Sequence, residues 1–475
     1  MAVEYDVVIL GGGTGGYVAA IRSAQLGLKT AIVEKGKLGG TCLHRGCIPS
    51  KALLRSAEVY RLAKHDADNF GVSTGDVTLD FGKVQSRKDS IVSGLHKGVQ
   101  GLMKKGKIDV FEGTGRILGP SIFSPMPGTI SVEYENGDEN EMLIPNNVIV
   151  ATGSRPRTLP GLEIDGEHVL TSDEALGMES LPKSIIIIGG GVIGIEWASM
   201  LNDFGVETTV VEYADRILPT EDADISKEME KLLKKRGVKI FTSAKVLPDT
   251  LDKGDGPVSI SAETGSGQEQ FRAEKILVSV GRQANTEGIG LENTDIELER
   301  GFIKVKNTYQ TKESHIYAIG DVIGGLQLAH VASHEGIAAV EHIAGEPAGH
   351  VDAEFVPRCI YSSPEAASVG LTEAEAKERG RDVKIGKFPF KAIGKALVHG
   401  ESEGFVKVIA DKDTDDLLGV HMIGPHVTDM ISEAGLAKVL DATPWEIASL
   451  VHPHPTLSEV MGEATLAVDG KAIHM

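Results

Sequence analysis

The sequence predicts an α/β chain with two Rossmann-like dinucleotide-binding folds, and three observations predict it. An apolar run, YDVVIL, ends at Leu10 in the glycine-rich GGGTGG and leads through a helical pattern, YVAAIRSAQLG, to a second apolar run, KTAIVE. The same order returns in SIIIIGGGVIGIEWASMLNDFGVETTVVE, Ser184 to Glu212. In each copy an acid closes the second strand 23 residues after the first glycine, Gly11 to Glu34 and Gly189 to Glu212. A strand feeding a glycine loop and helix, then a strand ending in an acid, is the β-turn-α-β unit of nucleotide binding. Its recurrence at one spacing marks an internal repeat.

Gly11, Gly13 and Gly16 fit G-x-G-x-x-G, as do Gly189, Gly191 and Gly194. The glycines permit a tight turn, close approach of backbone to a pyrophosphate and close helix packing. Glu34 and Glu212 are placed to accept hydrogen bonds from ribose hydroxyls. An acid at Glu212 favours a free 2′-hydroxyl, hence NAD over NADP, with Arg216 as the nearby cation that would pull the other way.

At 475 residues the chain exceeds a single core and predicts about three domains. Hydrophobic residues at 41% and charged residues at 24% exclude extended disorder. A net charge of -20 argues against nonspecific nucleic-acid binding. The N-terminal MAVEYDVVILGGG carries acids, no basic leader and an apolar run too short to span a membrane, so it reads as a strand of a cytoplasmic protein.

Further elements follow in order. CIPSKALLRSAEVY predicts a helix from about Pro49, which places Cys47 near a helix N-terminus whose dipole favours thiolate. NNVIVATGSRPR is a strand ending in Ala-Thr-Gly, and SHIYAIGDVIGG is a strand ending in Gly-Asp. A helix is expected to start near His330, and His330 and His334 read as structural. IAGEPAGHVDAEF reads as a linker, GFVKVIADKDTDDLLGVHMIG as a hairpin turning at Asp411 to Asp416, and DMISEAGLAKVLD as a helix. The acidic turn lacks the flanking helices and terminal Glu of a calcium loop.

These segments, with GGTCLHRGCIPSK from Gly39 to Lys51, resemble the flavin-dependent pyridine nucleotide-disulfide oxidoreductases over essentially the whole chain. The resemblance implies that the second Rossmann-like fold, for NAD, is inserted in the first, for FAD, and that an α+β C-terminal domain makes a homodimer. Residues 1–149 would begin the FAD domain, 150–281 form the NAD domain, 282–350 return to the FAD domain and 351–475 form the dimerisation domain. Thr152, Gly153, Asp321 and Ala329 would then meet FAD, Asp321 at the ribityl or phosphate region and Ala329 through helix N–H groups. Gly281 would join the NAD set.

Cys42 and Cys47 are two of three cysteines, and their spacing alone leaves a metal site, a structural staple and a redox couple open. Zinc would need four ligands and finds no second pair, while a staple is unusual in a reducing compartment. No metal is expected. GGTCLHRGCIPSK is similar to the signature of dihydrolipoamide dehydrogenases, the E3 component of 2-oxo acid dehydrogenase complexes, with His44-Arg45 where that family commonly has Asn-Val. The resemblance implies a redox disulfide in which Cys42 attacks substrate and Cys47 faces the flavin. Lys51 and Glu196 would pair near the reactive flavin nitrogen, with a solvated helix lysine and an ordinary polar helix position as the lesser alternatives. In HPHPTLSE, His454 and Glu459 resemble the family's acid-base pair, in which glutamate orients the imidazole. His452 reads as a surface loop residue.

The implied activity is oxidation of protein-bound dihydrolipoyl groups by NAD, through the disulfide and FAD. The chain begins directly in the first fold, so lipoyl groups are expected on a partner, the lipoyl-bearing E2 component of a 2-oxo acid dehydrogenase complex, with similarity to bacterial branched-chain types in PTEDADISKEMEKLLKKRG. No nucleic acid or membrane partner is expected. Glutathione-type reductases differ in their Pro-Lys-Lys ending, and mercuric reductases in a C-terminal cysteine pair that VDGKAIHM lacks. A nonenzymatic docking subunit on the same scaffold is the rival from another class.

Overall fold

Val7, Val8 and Ile9 are wholly buried, as a parallel strand covered on both faces requires. The computed structural model describes residues 3–120, 126–254 and 256–474. In it the strand Val3–Leu10 lies parallel between Thr30–Glu34 and Glu141–Val150, and Asp109–Glu112 extends the sheet beyond Thr30–Glu34. Glu141–Val150 pairs near its start with antiparallel Ile130–Glu133, which pairs with Thr114–Ile117, and at its end with parallel Ile316–Ala318. Leu10 and Ala318 both face Val150 in register. The first glycine loop, Thr152-Gly153 and Gly320-Asp321 therefore leave one edge of the sheet, where doubly wound folds bind ligands.

Helices Thr14–Gln25 and Ala329–Ala344 cover this sheet and approach each other closely. A Cβ on Gly336 would press to 2.7 Å from the Gly15 carbonyl oxygen. Arg22 clasps Glu341 at 2.6 Å beside that contact. Residues 1–52, 85–157 and 282–351 make up this compact unit.

The second unit comprises residues 53–84, 158–281 and 352–475. Its parallel sheet runs Lys239–Phe241, Glu207–Val211, Ser184–Ile188, Lys275–Val278, Val169–Leu170, and an antiparallel meander, Lys245–Asp252, Val258–Thr264 and Gly267–Ala273, stands beside it. The C-terminal region forms an antiparallel sheet in the order Arg358–Ile360, Glu365–Gly370, Leu417–Gly424, Phe405–Asp411, Val383–Pro389. Val406, Val408, Val420 and Met422 pack under Ile431, Val460 and Met461 of the helices Val427–Val439 and Glu459–Ala467. Leu53 and Ala57 of the helix Cys47–Arg61 join the core around Trp197 and Phe204, and the ring of Phe81 meets Phe204 edge-on at 5.9 Å.

The hairpin expected around Asp411 to Asp416 is present, but both strands are buried throughout, so neither face is solvated. The helix expected from about Pro49 begins at Cys47, immediately after Gly46 breaks the preceding helix Gly40–Arg45. The expected partition has boundaries at 149/150, 281/282 and 350/351; the compact units change at 52/53, 84/85, 157/158, 281/282 and 351/352, with residues 53–84, the inserted fold and the C-terminal region in one unit. Among the described residues no helix is long and apolar enough to cross a membrane.

Candidate functional site

The two glycine loops solve one problem in the same way. Gly11 and Gly189 take φ of 105° and 108°, in the left-handed region, and a Cβ at either would collide with the carbonyl oxygen of Ala151 or Ser279. Side chains on Gly16 and Gly194 would strike the carbonyls of Gly11 and Gly189. The middle glycines differ: a Cβ on Gly191 meets nothing within 4 Å, and one on Gly13 meets only Gly40 Cα at 4.0 Å. These open positions lie at the N-termini of helices Val192–Asp203 and Thr14–Gln25, neither of which has a side-chain cap. Unfilled helix N–H groups beside open space fit the pyrophosphate of a dinucleotide.

Each acid braces its loop. Glu34 accepts N–H bonds from Gly12 at 2.6 Å and Gly36 at 2.7 Å. Glu212 accepts them from Gly190 at 2.5 Å and Ala214 at 2.6 Å. Arg216, the cation that would favour NADP, is committed to its own chain, where Nη2 donates to the carbonyls of Pro219 at 3.0 Å and Glu221 at 3.4 Å.

At the sheet edge of the first unit, the Asn285 side-chain amide donates to the Thr152 carbonyl at 2.9 Å, and the Thr152 hydroxyl donates in return to the Asn285 carbonyl at 2.8 Å. Gly153 takes φ 69° and its carbonyl receives the Asn285 N–H. Asp321 accepts the Ser154 hydroxyl, and Arg282 binds that same hydroxyl at 2.7 Å. Sequence reading missed Ser154, Arg282 and Asn285; Ser154 directly follows Gly153 and Arg282 directly follows Gly281, which was the signal available for those two. Ala329 opens the helix Ala329–Ala344, whose N-terminus also lacks a side-chain cap. Glu335 in that helix accepts the Gly320 N–H at 2.7 Å, and burial pushes its carboxyl up to about 7.

Cys42 in the helix Gly40–Arg45 and Cys47 at the start of Cys47–Arg61 are both thiols, and the two sulfurs are hydrogen-bonded. That bond, burial and negative charge on Cys47 drive the Cys42 pKa up, against Thr14 and Lys51. Lys51 donates to the Ser50 hydroxyl at 3.4 Å. His44, the departure between the cysteines, lies 2.9 Å from the Leu38 carbonyl, and His96 reaches the same oxygen at 2.9 Å.

In the second unit Glu196 is 6% exposed and accepts the Tyr361 N–H at 3.0 Å. Gly281 takes φ 105°. His454 Nδ1 lies 2.8 Å from Glu459, which also accepts the Thr456 N–H at 2.9 Å. Burial opposes the Glu459 charge, but His454 and Thr456 hold its carboxyl below the usual range. His452 is not the surface residue expected: its side chain is 8% exposed and bonds Glu433 at 2.8 Å. The Pro-rich segment reads as a loop, yet Glu433 on the helix Val427–Val439 draws this one side chain inward.

The model of the pyridine nucleotide-disulphide oxidoreductases matches residues 5–336, and that of their dimerisation domain matches residues 356–465. The chain belongs to the pyridine nucleotide-disulphide oxidoreductase family. It is 75% identical to the dihydrolipoyl dehydrogenase of Bacillus subtilis over 100% of both chains, and 47% identical to that of Rhizobium etli, again over 100% of both. Its fold matches the crystal structure of LpdA from Mycobacterium tuberculosis with a TM-score of 0.88 and 27% identity, covering 98% of this chain and 99% of the other. The family member described here is an FAD-dependent oxidoreductase whose cofactors are FAD and NAD, with two nucleotide folds and a C-terminal dimerisation domain.

Proposed function

We propose that this chain reoxidises protein-bound dihydrolipoyl groups, that Cys42 and Cys47 form the disulfide that receives the electrons, and that they leave through FAD to NAD. The observation that carries the reading is the pairing of Cys42 and Cys47, which two consecutive helices broken at Gly46 bring within hydrogen-bonding reach of each other. A substrate thiolate attacks Cys42 Sγ, the Cys42–Cys47 bond breaks, and Cys47 departs as thiolate. The second substrate thiol then attacks the substrate sulfur of the mixed disulfide, closing the lipoyl ring and releasing Cys42. His454 takes the proton from the attacking thiol. Its Nδ1–H donates to Glu459, so Nε2 presents the lone pair.

FAD, when bound, would supply the acceptor for the electron pair of the dithiol and the donor of hydride to NAD. The loop of Gly11, Gly13 and Gly16 with Glu34, Thr152, Gly153, Asp321 and Ala329 would hold FAD. The loop of Gly189, Gly191 and Gly194 with Glu212 and Gly281 would hold NAD. Lys51 and Glu196 would act near the flavin. The dimerisation domain supports a homodimer, and the substrate class makes the lipoyl-bearing component of a 2-oxo acid dehydrogenase complex its partner in the cytoplasm.

A steady-state assay of the purified flavoprotein with dihydrolipoamide, NAD against NADP, tests the reading. Turnover with NAD and little with NADP is expected. A flavoprotein that binds both cofactors yet fails to oxidise dihydrolipoamide would overturn the substrate assignment.

A further inference from the structure

The C-terminal sheet carries a polar row that no step above uses. Register sets Arg358 opposite Ser368, Ser368 opposite His421, and His421 opposite Lys407, so these side chains share one face across four strands. The next row on that face is apolar: Ile360, Ala366, Ile423 and Phe405. It joins one core with Ile217, Leu218, Ile225 and Met229 of the second nucleotide fold. The sheet face therefore packs on the segment that follows Glu212.

An acidic edge of that segment meets the polar row. Glu221 accepts the Ser368 hydroxyl at 2.6 Å and lies 3.8 Å from Arg358. Lys407 Nζ lies 2.9 Å from Asp222, 3.1 Å from Asp224 and 2.7 Å from Glu373. Lys407 and Asp222 are each 2% exposed. Burial opposes the Lys407 charge, yet Glu373 and Asp222 raise its pKa above the ordinary lysine value, so the ammonium persists. His421 is wholly buried and donates Nε2–H to the Leu371 carbonyl at 2.9 Å.

The same segment grips the glycine loop. Leu218 N–H donates to the Gly190 carbonyl at 2.8 Å, while Glu212 holds the Gly190 N–H. Leu218 does so at φ 47°, a left-handed conformation that leucine keeps only where its surroundings impose it. Glu221 closes that turn, its N–H donating to the Leu218 carbonyl at 3.0 Å. The backbone of Glu221 thus fixes the residue that holds Gly190, and its side chain is fixed by the sheet.

We propose that Lys407, with Arg358, Ser368 and His421 beside it, is a positioning residue for the nicotinamide nucleotide: by anchoring Glu221 and Asp222 it keeps the Leu218 turn, and through it Gly190 and Glu212, in the ligand-binding arrangement. The inference rests on the assignment of this loop to NAD.

Its test is calorimetric binding of NADH to the FAD-loaded protein, with amide exchange of residues 217–224 and steady-state kinetics alongside. Lys407→Met should raise the dissociation constant and the KM for NAD about tenfold, the size of a coupling carried through a packed network. It should hasten amide exchange in 217–224 and leave the rate of flavin reduction by dihydrolipoamide unchanged. Lys407→Arg should restore binding. Glu221→Gln, nearly isosteric, should weaken NADH in the same direction and carries the test if Lys407→Met does not fold. If Glu212→Ala weakens NADH while Lys407→Met and Glu221→Gln bind it as wild type does, the positioning role is overturned and the NAD site stands. If Glu212→Ala also binds NADH unchanged, the assignment of the loop itself falls.

Discussion

His454 Nδ1 lies 2.8 Å from the Glu459 carboxylate, and the Thr456 N–H fixes the other carboxylate oxygen at 2.9 Å. The carboxylate accepts, so Nδ1 carries the proton and Nε2 is free to take one from a thiol. His454→Gln should lose about 10²- to 10⁴-fold in turnover, the usual worth of a positioned acid-base group. Glu459→Gln should lose less and shift the pH profile of kcat, because it leaves the imidazole in place without its anionic partner. Equal, pH-independent losses in both variants would remove His454 from proton transfer.

A homodimer in which each site draws on both chains makes a distinct prediction. Mixing Cys47→Ser with His454→Gln under subunit exchange makes half the dimers mixed, each with one site intact. About a quarter of wild-type activity should return. Heterodimers shown by mass to form without any recovery would place His454 in the same chain's site.

Glu212 braces two backbone N–H groups as well as facing the expected ribose, so its loss acts twice. Glu212→Ala should raise the KM for NAD about tenfold and narrow the preference over NADP, as expected when a charged hydrogen-bond acceptor is lost. An unchanged ratio of kcat/KM for the two coenzymes would contradict its role in choosing between them.

Glu335 gives a pH dependence of stability. Its carboxyl titrates at about 7 in the fold against an ordinary 4.5, so the folded chain keeps a proton that the unfolded chain releases between those values. Stability therefore falls as pH rises from 4.5 to 7 and levels off above. Glu335→Gln retains an acceptor for the Gly320 N–H and should flatten this fall, by no more than roughly 3.4 kcal/mol. Denaturant melts of both proteins at pH values on either side of this window check it, and parallel curves would rule Glu335 out.

Much of the fold was legible because its signals are local. The glycine of a tight turn, the acid that ends the next strand and the helix between them lie within one short segment, and each has a backbone reason. Residues brought together by strand register were not legible. Arg358, Ser368, His421 and Lys407 sit on four strands, and nothing near Lys407 in sequence names Asp222, 185 residues away, as its partner. Ser154 and Asp321 are 167 residues apart and meet only because parallel strands end at one edge. His44 was legible as a departure between the cysteines; that it shares the Leu38 carbonyl with His96 depends on a helix 58 residues from that carbonyl. His452 was misread because composition reports the loop and not the direction of one side chain.

The central claim is that electrons from a dihydrolipoyl group enter through Cys42 and Cys47. The most direct measurement is anaerobic reduction of the flavin by dihydrolipoamide in wild type, Cys42→Ser and Cys47→Ser, each with its FAD content determined. Both variants should retain FAD, since the glycine fold and not the sulfurs binds it, and both should leave the flavin oxidised while wild type is reduced. Flavin reduction at the wild-type rate in either FAD-loaded variant would contradict the account.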